Sequence, residues 1–526
     1  MATTVVAPIS AEVEQREERR RERRFAVGLI TSLSALALGV NGYHPYAEDG
    51  GLYMAGIKRT LDPTLYPHGT EFVLGHLRFS MFAPMVAGLV RASHLSVDMV
   101  LLGLHVVCIW ATLFAGWELA GRCYAGRVAR IGATTLLAIW ITLPVAGTSL
   151  MLMDPYVTAR SISTPFALLA LVGMLEFLMS QAGRWRWFAL CCATLLVAAM
   201  VHPLMASYAL GCVIALGCLL APSRAMRVWG TLGLCCSGAA VAAVLQASAP
   251  PESGDYVRVA MTRVYWFPGE WCWYEQVGLV APLIIVGVVA FGRRREGDAA
   301  RVSLAQMAVA AGVTAMVVAG LFARTGLATH LVARLQPLRI FQIVYVLMIL
   351  EVGATLAERV LQRRKVAWVA AFGLLAGVMV FVERHTFPES AHIELPKELP
   401  WSTPKSEWEK AFAWISRNTP KDALFAVDAD YITKPGEDAQ SFRAIAERSV
   451  LPDYSKDGGE TAITPELAAT WTLGETAQTR LSAASDARRL TSLRPLGVTW
   501  LVLERDAVTG FVCDYVNDAV KVCRLP

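Results

Sequence analysis

Charge is scarce in this chain. Asp, Glu, Lys and Arg make up 17% of its 526 residues, against about 25% in an ordinary soluble domain. A disordered chain and a nucleic-acid-binding domain both need more charge, so neither fits and no nucleic-acid partner is expected. Catalytic signatures of soluble enzymes are missing too. No phosphate-binding loop, GxSxG elbow, HExxH helix or dinucleotide fingerprint occurs in the strand or helix setting it requires. The 11 cysteines include no CxxC pair and no Cys/His metal spacing. What the chain has in abundance is apolar: hydrophobic residues reach 55%. That composition belongs to a polytopic membrane protein.

A membrane-crossing helix takes roughly 17–25 residues. Apolar stretches at 25–40, 97–119, 131–153, 162–179, 187–201, 204–221, 229–247, 276–291, 302–323, 338–358 and 366–382 predict about eleven spans. The first follows a polar segment, 1–24, dense in Arg16, Arg19, Arg20, Arg21, Arg23 and Arg24. With no small-residue cleavage site before the 42–48 stretch, it reads as an uncleaved first span rather than a signal peptide. Stretch 79–95 carries Pro84, Arg91 and His94 and reads as an interfacial helix.

Basic residues bias loops toward the cytoplasm. They cluster at Arg122, Arg127 and Arg130; at Arg184 and Arg186; at Arg224 and Arg227; at Arg293, Arg294, Arg295 and Arg301; and at Arg359, Arg363, Arg364 and Lys365. The intervening loops are longer and poorer in them. This alternation predicts a cytoplasmic N-terminus at 1–24, a multipass unit at 25–382 with an outside loop at 41–96, and an exoplasmic domain at 383–526 in a plasma (inner) membrane.

The tail changes character. Pro388, Pro396, Pro400 and Pro404 mark a linker, and Trp408, Phe412 and Ile415 recur at helical spacing. Stretches 424–427, 449–451, 498–503 and 519–522 read as short buried strands and 485–493 as a helix, giving a small α/β domain. Cys513 and Cys523 flank a probable hairpin in an oxidising compartment, which predicts a disulfide.

The most unusual loop follows the first span. Glu48 and Asp49 are adjacent carboxylates, Gly50 and Gly51 allow close backbone approach, and Leu52, Tyr53, Ala55 and Ile57 suggest a surface helix. A carboxylate at that boundary can serve as a general base or a metal ligand, or simply as an acidic cap. Asp154 in the second outside loop offers either a second carboxylate or another cap. His202-Pro203 interrupts an apolar stretch; the His lines a polar cavity or packs with a partner. Arg334 and Arg339 could fork onto a phosphate or snorkel to the interface. Lys58 and Arg59 present the same choice. Aromatics at 265–274 form either an interfacial belt or a sugar platform, and Glu351 and His105, inside spans, should face the protein interior.

The order of these parts resembles the GT-C superfamily of membrane glycosyltransferases: an outside loop with an acidic residue after the first helix, a surface helix with Tyr53, a second interfacial helix, many spans and an exoplasmic C-terminal domain. The tail, with Phe442, Arg443 and Arg448, resembles bacterial multipass proteins of this kind. The resemblance implies transfer of a sugar from a polyprenyl-phosphate carrier to an exoplasmic acceptor. It assigns the base to Asp49 with Glu48 as neighbour, and Asp154 to a second acidic position. No Asp-x-Asp or Glu-x-Asp pair accompanies Asp154, so a divalent metal on Asp49 and Asp154 is left open. Substrate contacts would come from Arg339, Lys58, Arg59, Asp154 and His202. A transporter or flippase of a lipid-linked or polar solute, and a non-catalytic scaffold of the same fold, are the competing readings. A transporter should show matched inverted halves, and only one helix break, at His202-Pro203, is visible.

Overall fold

The computed structural model describes residues 9–180, 183–292, 298–399 and 405–526, with side chains from residue 16 onward except Arg19. Expectations placed on 1–8, on the side chain of Arg19, on Arg293, Arg294 and Arg295, and on Pro400 and Pro404 lie outside the described residues. Two units make up the chain, a helical membrane unit and a small C-terminal sheet domain.

Among the described residues nine helices are long and apolar enough to cross a membrane: Arg16–Asn41, Val97–Cys123, Ala159–Met179, Arg184–Val201, Arg224–Ser248, Trp273–Phe291, Ala299–Phe322, Leu331–Leu361 and Lys365–Thr386. Two of the eleven expected stretches are shorter. Residues 204–221 form Pro203–Leu219, and of 131–153 only Arg127–Ile139 is helical. Past Trp140 the chain turns back on itself through a bridge between Pro144 and Met151, with Ala146 and Ser149 at positive φ. That segment is apolar because Leu150, Leu152 and Met153 are buried in the protein, not because it is a span. Apolar content alone does not separate the two cases. The short helix still keeps pace with the first one. Arg127 lies 3.5 Å from the centre of the Phe25 ring, and at the other end Asn41 Nδ2 donates to the Ala138 carbonyl at 3.3 Å.

Stretch 79–95 is helical over Phe82–Ser93 and meets Thr70–Phe79 at a 97° bend. The centre of the membrane unit is Phe341–Thr355, in which nearly every residue is buried. A helix apolar on all sides needs neighbours on all sides. It crosses Arg127–Ile139 at Gly353 and Gly132, where a Cβ on Gly132 would lie 2.6 Å from the Gly353 carbonyl oxygen. Only hydrogen at both positions allows the two backbones to approach this closely. Glu351, 9% exposed, faces inward and accepts from Tyr124 Oη at 2.6 Å and Arg301 Nε at 2.8 Å. His105 is likewise buried, beside the Tyr43 ring.

The C-terminal domain opens with helix Glu407–Asn418, whose Ser406 and Glu409 form a reciprocal capping box. Five strands follow: β1 (Leu424–Ala426), β2 (Ser449–Val450), β3 (Trp500–Glu504), β4 (Cys513–Val516) and β5 (Val520–Arg524). Their order is β2-β1-β3-β5-β4. β1 pairs in parallel with β2 and β3, while β5 runs antiparallel to both β3 and β4. Alternation sends Phe425, Trp500 and Val502 to one core with Trp408, Phe412 and Phe442, and Leu424, Leu501 and Leu503 to another with Leu493. The expected helix at 485–493 is Asp486–Leu493. Sequence patterning missed β4, a half-exposed edge strand, and the helices Lys456–Ile463 and Ala468–Gln478, whose N-cap residues Ser455 and Leu467 make no capping side-chain bond.

This domain is bolted to the membrane unit through polar side chains. Arg258 pairs with Glu475, Arg263 donates to the Tyr454 and Ser455 carbonyls, and Tyr66 Oη donates to the Arg443 carbonyl. Cys513 and Cys523 sit opposite one another on β4 and β5 and are joined in a disulfide 10 residues apart in sequence. Closing so short a loop contributes about 2–3 kcal/mol through the unfolded chain. Replacing both cysteines by serine should lower the stability of this domain by about that amount. Denaturant unfolding of the full chain in detergent, followed by tryptophan fluorescence, would read it.

Candidate active site

The loop after the first helix is tied down residue by residue. His44 N donates to the Pro155 carbonyl, Glu48 N to the Ala439 carbonyl, and Ser441 N to the Tyr46 carbonyl. Helix Glu48–Leu61 then begins in a tight corner. A Cβ on Gly51 would stand 2.1 Å from Ser441 Cβ and 2.5 Å from the Tyr46 carbonyl oxygen. No larger residue fits there, and this close seating sets Asp49 beside both the 154–160 segment and the C-terminal domain.

The capping alternative for the two acids does not describe what they do. The N-cap is Ala47, with no side-chain bond, and Glu48 and Asp49 occupy the first turn. Their carboxylates meet Lys456 from helix Lys456–Ile463. Its Nζ bonds Glu48 and lies 3.3 Å from Asp49 Oδ1. Burial pushes the Asp49 carboxyl up, but Lys456, Arg160 and Arg339 outweigh it and hold it below the usual carboxylate range. The same carboxylates hold the Lys456 ammonium well above its usual range against burial.

Asp154 sits at the entry to Ala159–Met179, which is capped by Thr158 and Ser161. It does not cap that helix. It forms a buried ion pair with Arg160 at 2.5 Å, both residues about 5% exposed. Burial dominates here, so Asp154 is pushed above the usual carboxylate range despite Arg160 and Arg339, with Asp49 adding to the rise. Arg160 keeps a spare donor: its Nε is buried without a partner among the described residues.

Arg339 lies in the turn Pro337–Ile340, just past Gln336 at φ +51. Its Nε is also buried without a partner among the described residues. Its charge reaches Asp49, Asp154 and His202. His202 uses Nδ1 to accept from Met205 N at 3.4 Å, capping the next helix. Burial, with Arg339 and Arg160, pushes it down to about 3, so it is neutral. Burial and Asp49 push the Tyr53 and Tyr156 phenols up, Asp154 adding to the effect on Tyr156.

Asp49, Asp154, Arg339 and His202 therefore fall within one electrostatic neighbourhood. Lys58 and Arg59 do not join it. Lys58 Nζ bonds Glu447 Oε1 and the Ala444 carbonyl, each at 2.7 Å, and Arg59 bonds the Leu65 carbonyl at 2.7 Å. They lie two turns and more down the helix, where Lys58 ties it to the C-terminal domain and Arg59 braces the loop that follows. The charge of Arg334 acts instead on the Tyr256 phenol, working against the rise that burial gives it. Two members escaped sequence reading. Lys456 is 407 residues from Asp49, and no local pattern marks it. Arg160 was visible only as a loop charge, although a basic residue six after Asp154 across a helix start is a usable signal. As for a metal, no cluster of three or more His, Cys, Asp or Glu among the described residues is arranged to hold one. Asp49 and Asp154 are each already paired with a cation of the chain, so this donor set does not fit a divalent ion.

Comparison with known proteins adds the following. Residues 406–471 match a family described as a domain of unknown function (DUF6798), a stretch that includes Lys456. The chain is similar to the archaeal oligosaccharyltransferase AglB from Archaeoglobus fulgidus, solved with an inhibitory peptide and a dolichol-phosphate, at 12% identity and a TM-score of 0.49 over 92% of this chain and 70% of that one. It is also similar to the arabinofuranosyltransferase AftD from Mycobacteria, at 14% identity and a TM-score of 0.47 over 96% of this chain and 41% of that one. No curated protein matches it in sequence.

Lys456→Met should loosen the C-terminal domain from the loop. A carboxyl held low stabilises the fold above its unfolded value, and that contribution fades as pH falls through the folded value. The loss should be about 1 kcal/mol at pH 7, since the two acids are two-fifths exposed, and smaller at about pH 3, where the carboxyls begin to protonate. Denaturant titrations of variant and parent at the two pH values would check it.

Proposed function

We propose that the chain is a membrane glycosyltransferase of the GT-C kind, moving a sugar from a polyprenyl-phosphate donor to an acceptor hydroxyl. One observation carries this reading. A carboxylate, Asp49, faces two arginines, Arg160 and Arg339, each with a buried N–H that no group of the described chain accepts. A buried guanidinium with a spare donor suits an anion, and phosphate takes two such donors side by side. A carboxylate opposite suits the removal of a proton.

The chemistry balances with these groups alone. The acceptor oxygen forms a bond to the anomeric carbon, and its proton passes to Asp49. The bond from that carbon to the carrier phosphate breaks, and its electron pair leaves on the phosphate oxygen, where Arg339 and Arg160 stabilise the charge. Lys456 keeps Asp49 ionised and in place before the acceptor arrives. Asp154 holds the Arg160 side chain, and neutral His202 adds no charge that would compete for the phosphate.

In this reading Asp49 and the C-terminal domain lie outside the cytoplasm, and 1–24 and the loop around Arg227 lie within it. Position 466 and position 227 are both exposed. In a cysteine-free background a membrane-impermeant thiol reagent should label a cysteine at 466 in intact cells, and one at 227 only after permeabilisation. The reverse pattern would overturn the orientation.

Asp49→Asn should lower sugar transfer from the native polyprenyl-phosphate pool by about 10²–10⁴-fold while the protein still inserts and folds. Glu48→Gln should be milder, because adjacent helical residues point about 100° apart and only one can face the acceptor. Arg339→Met should weaken use of the donor. Full transfer by a normally expressed Asp49→Asn protein would dismiss Asp49 as the base.

A further inference from the structure

We infer that a second polar cavity, at the junction of the first loop, the start of Val97–Cys123 and the linker to the C-terminal domain, binds a small molecule carrying both a primary ammonium and an anionic group. The cavity measures about 240 Å³ and shares no residue with the Asp49 cluster. It does not depend on the glycosyltransferase reading.

Part of the lining is a set of acceptors with nothing to accept among the described residues. Tyr43 Oη, Asp98 Oδ1 and Glu394 Oε2 are buried and have no partner among the described residues. Tyr43 is 1% exposed and Glu394 7%. Each is held in place by its other contacts. Asp98 Oδ2 accepts from Tyr46 Oη at 2.8 Å, and Glu394 Oε1 is bonded to His44 Nδ1 at 2.8 Å. The Tyr43 ring packs 4.8 Å from that of His105. Ionised carboxylate oxygens only accept, and a tyrosine hydroxyl can. An ammonium brings three donors to three waiting acceptors. A bare divalent ion needs its ligands closer, and no such group occurs among the described residues.

The lining also carries two lysines, Lys397 and Lys405. Lys405 Nζ lies 3.4 Å from Glu409 Oε1 and 5.2 Å from the Tyr46 ring centre. Lys397 forms no ion pair among the described residues, and burial with the neighbouring Lys405 makes its charge costly. Burial and Glu394 push the Glu409 carboxyl up to about 7, so it offers these lysines less than a full counter-charge. An anionic group on the ligand supplies the rest. The volume, room for roughly eight waters at about 30 Å³ each, suits a ligand of that many heavy atoms. Asp98 begins one membrane-crossing helix and Tyr43 follows another, so the cavity lies at the membrane surface. A dissolved amino-phosphate and an aminophospholipid headgroup both carry this chemistry.

The test uses the full chain. In detergent, phosphoethanolamine should bind one to one by titration calorimetry and raise the melting temperature. Glycerol phosphate, lacking the ammonium, and ethanolamine, lacking the anion, should each bind at least tenfold more weakly. Tyr43→Phe and Lys397→Met should each weaken phosphoethanolamine at least tenfold. Neither should lower the melting temperature of the free protein, since Tyr43 Oη and the Lys397 ammonium have no partners to lose among the described residues. In nanodiscs, a rise in melting temperature with phosphatidylethanolamine over phosphatidylglycerol identifies the headgroup as the source. Binding of free phosphoethanolamine without that rise identifies a dissolved ligand, and either result supports the site. It is overturned if neither form stabilises the parent protein, if glycerol phosphate binds as well as phosphoethanolamine, or if both variants bind like the parent.

Discussion

A carboxylate partly withdrawn from water at the edge of a hydrocarbon layer needs a cation of the protein to hold its charge. Asp49 meets that need with Lys456, which comes from the far end of the chain. Because the partner belongs to the C-terminal domain, seating that domain and setting the charge state of Asp49 are one event. The Gly51 contact with Ser441 and the backbone bonds from 44, 48 and 441 hold the same surface together. Lys456 is the largest of the three cations that hold Asp49 ionised, with Arg160 and Arg339 behind it.

The same rule organises the neighbours. Asp154 and Arg160 neutralise each other where neither could stand alone, since removing one partner of a buried pair costs about 3–5 kcal/mol. Lys456 serves two carboxylates, so these pairs leave one negative charge, which Arg339 balances without an ion pair of its own among the described residues. What distinguishes this cluster is its unfilled donors, the buried Nε groups of Arg160 and Arg339, which have no partner among the described residues. Lys58 shows the contrast, its ammonium bonded to Glu447 and to the Ala444 carbonyl.

Much of the architecture follows from residue pattern. Long apolar runs become crossing helices, and Phe425, Trp500 and Val502 alternate with Leu424 and Leu501 to fill two faces of one sheet. Both are local periodicities, legible in any window of the chain. The capping box at Ser406 and Glu409 and the buried Trp408, Phe412 and Ile415 stripe are of the same kind. Where a stretch is apolar for a non-local reason, local reading overshoots. Residues 140–153 are buried by neighbours from other helices, and they turn back at Pro144 instead of crossing.

The sequence by itself determined that the chain crosses a membrane many times, ends in a small α/β domain and carries acids after its first helix. These depend on composition and on spacing within a few residues. Tertiary structure alone decided that Asp49 is paired rather than capping and that Lys456 and Arg160 belong to its site, while Lys58 and Arg59 do not. The reason is that an ion pair depends on distance in space, and a partner 407 residues away leaves no periodic trace in the chain.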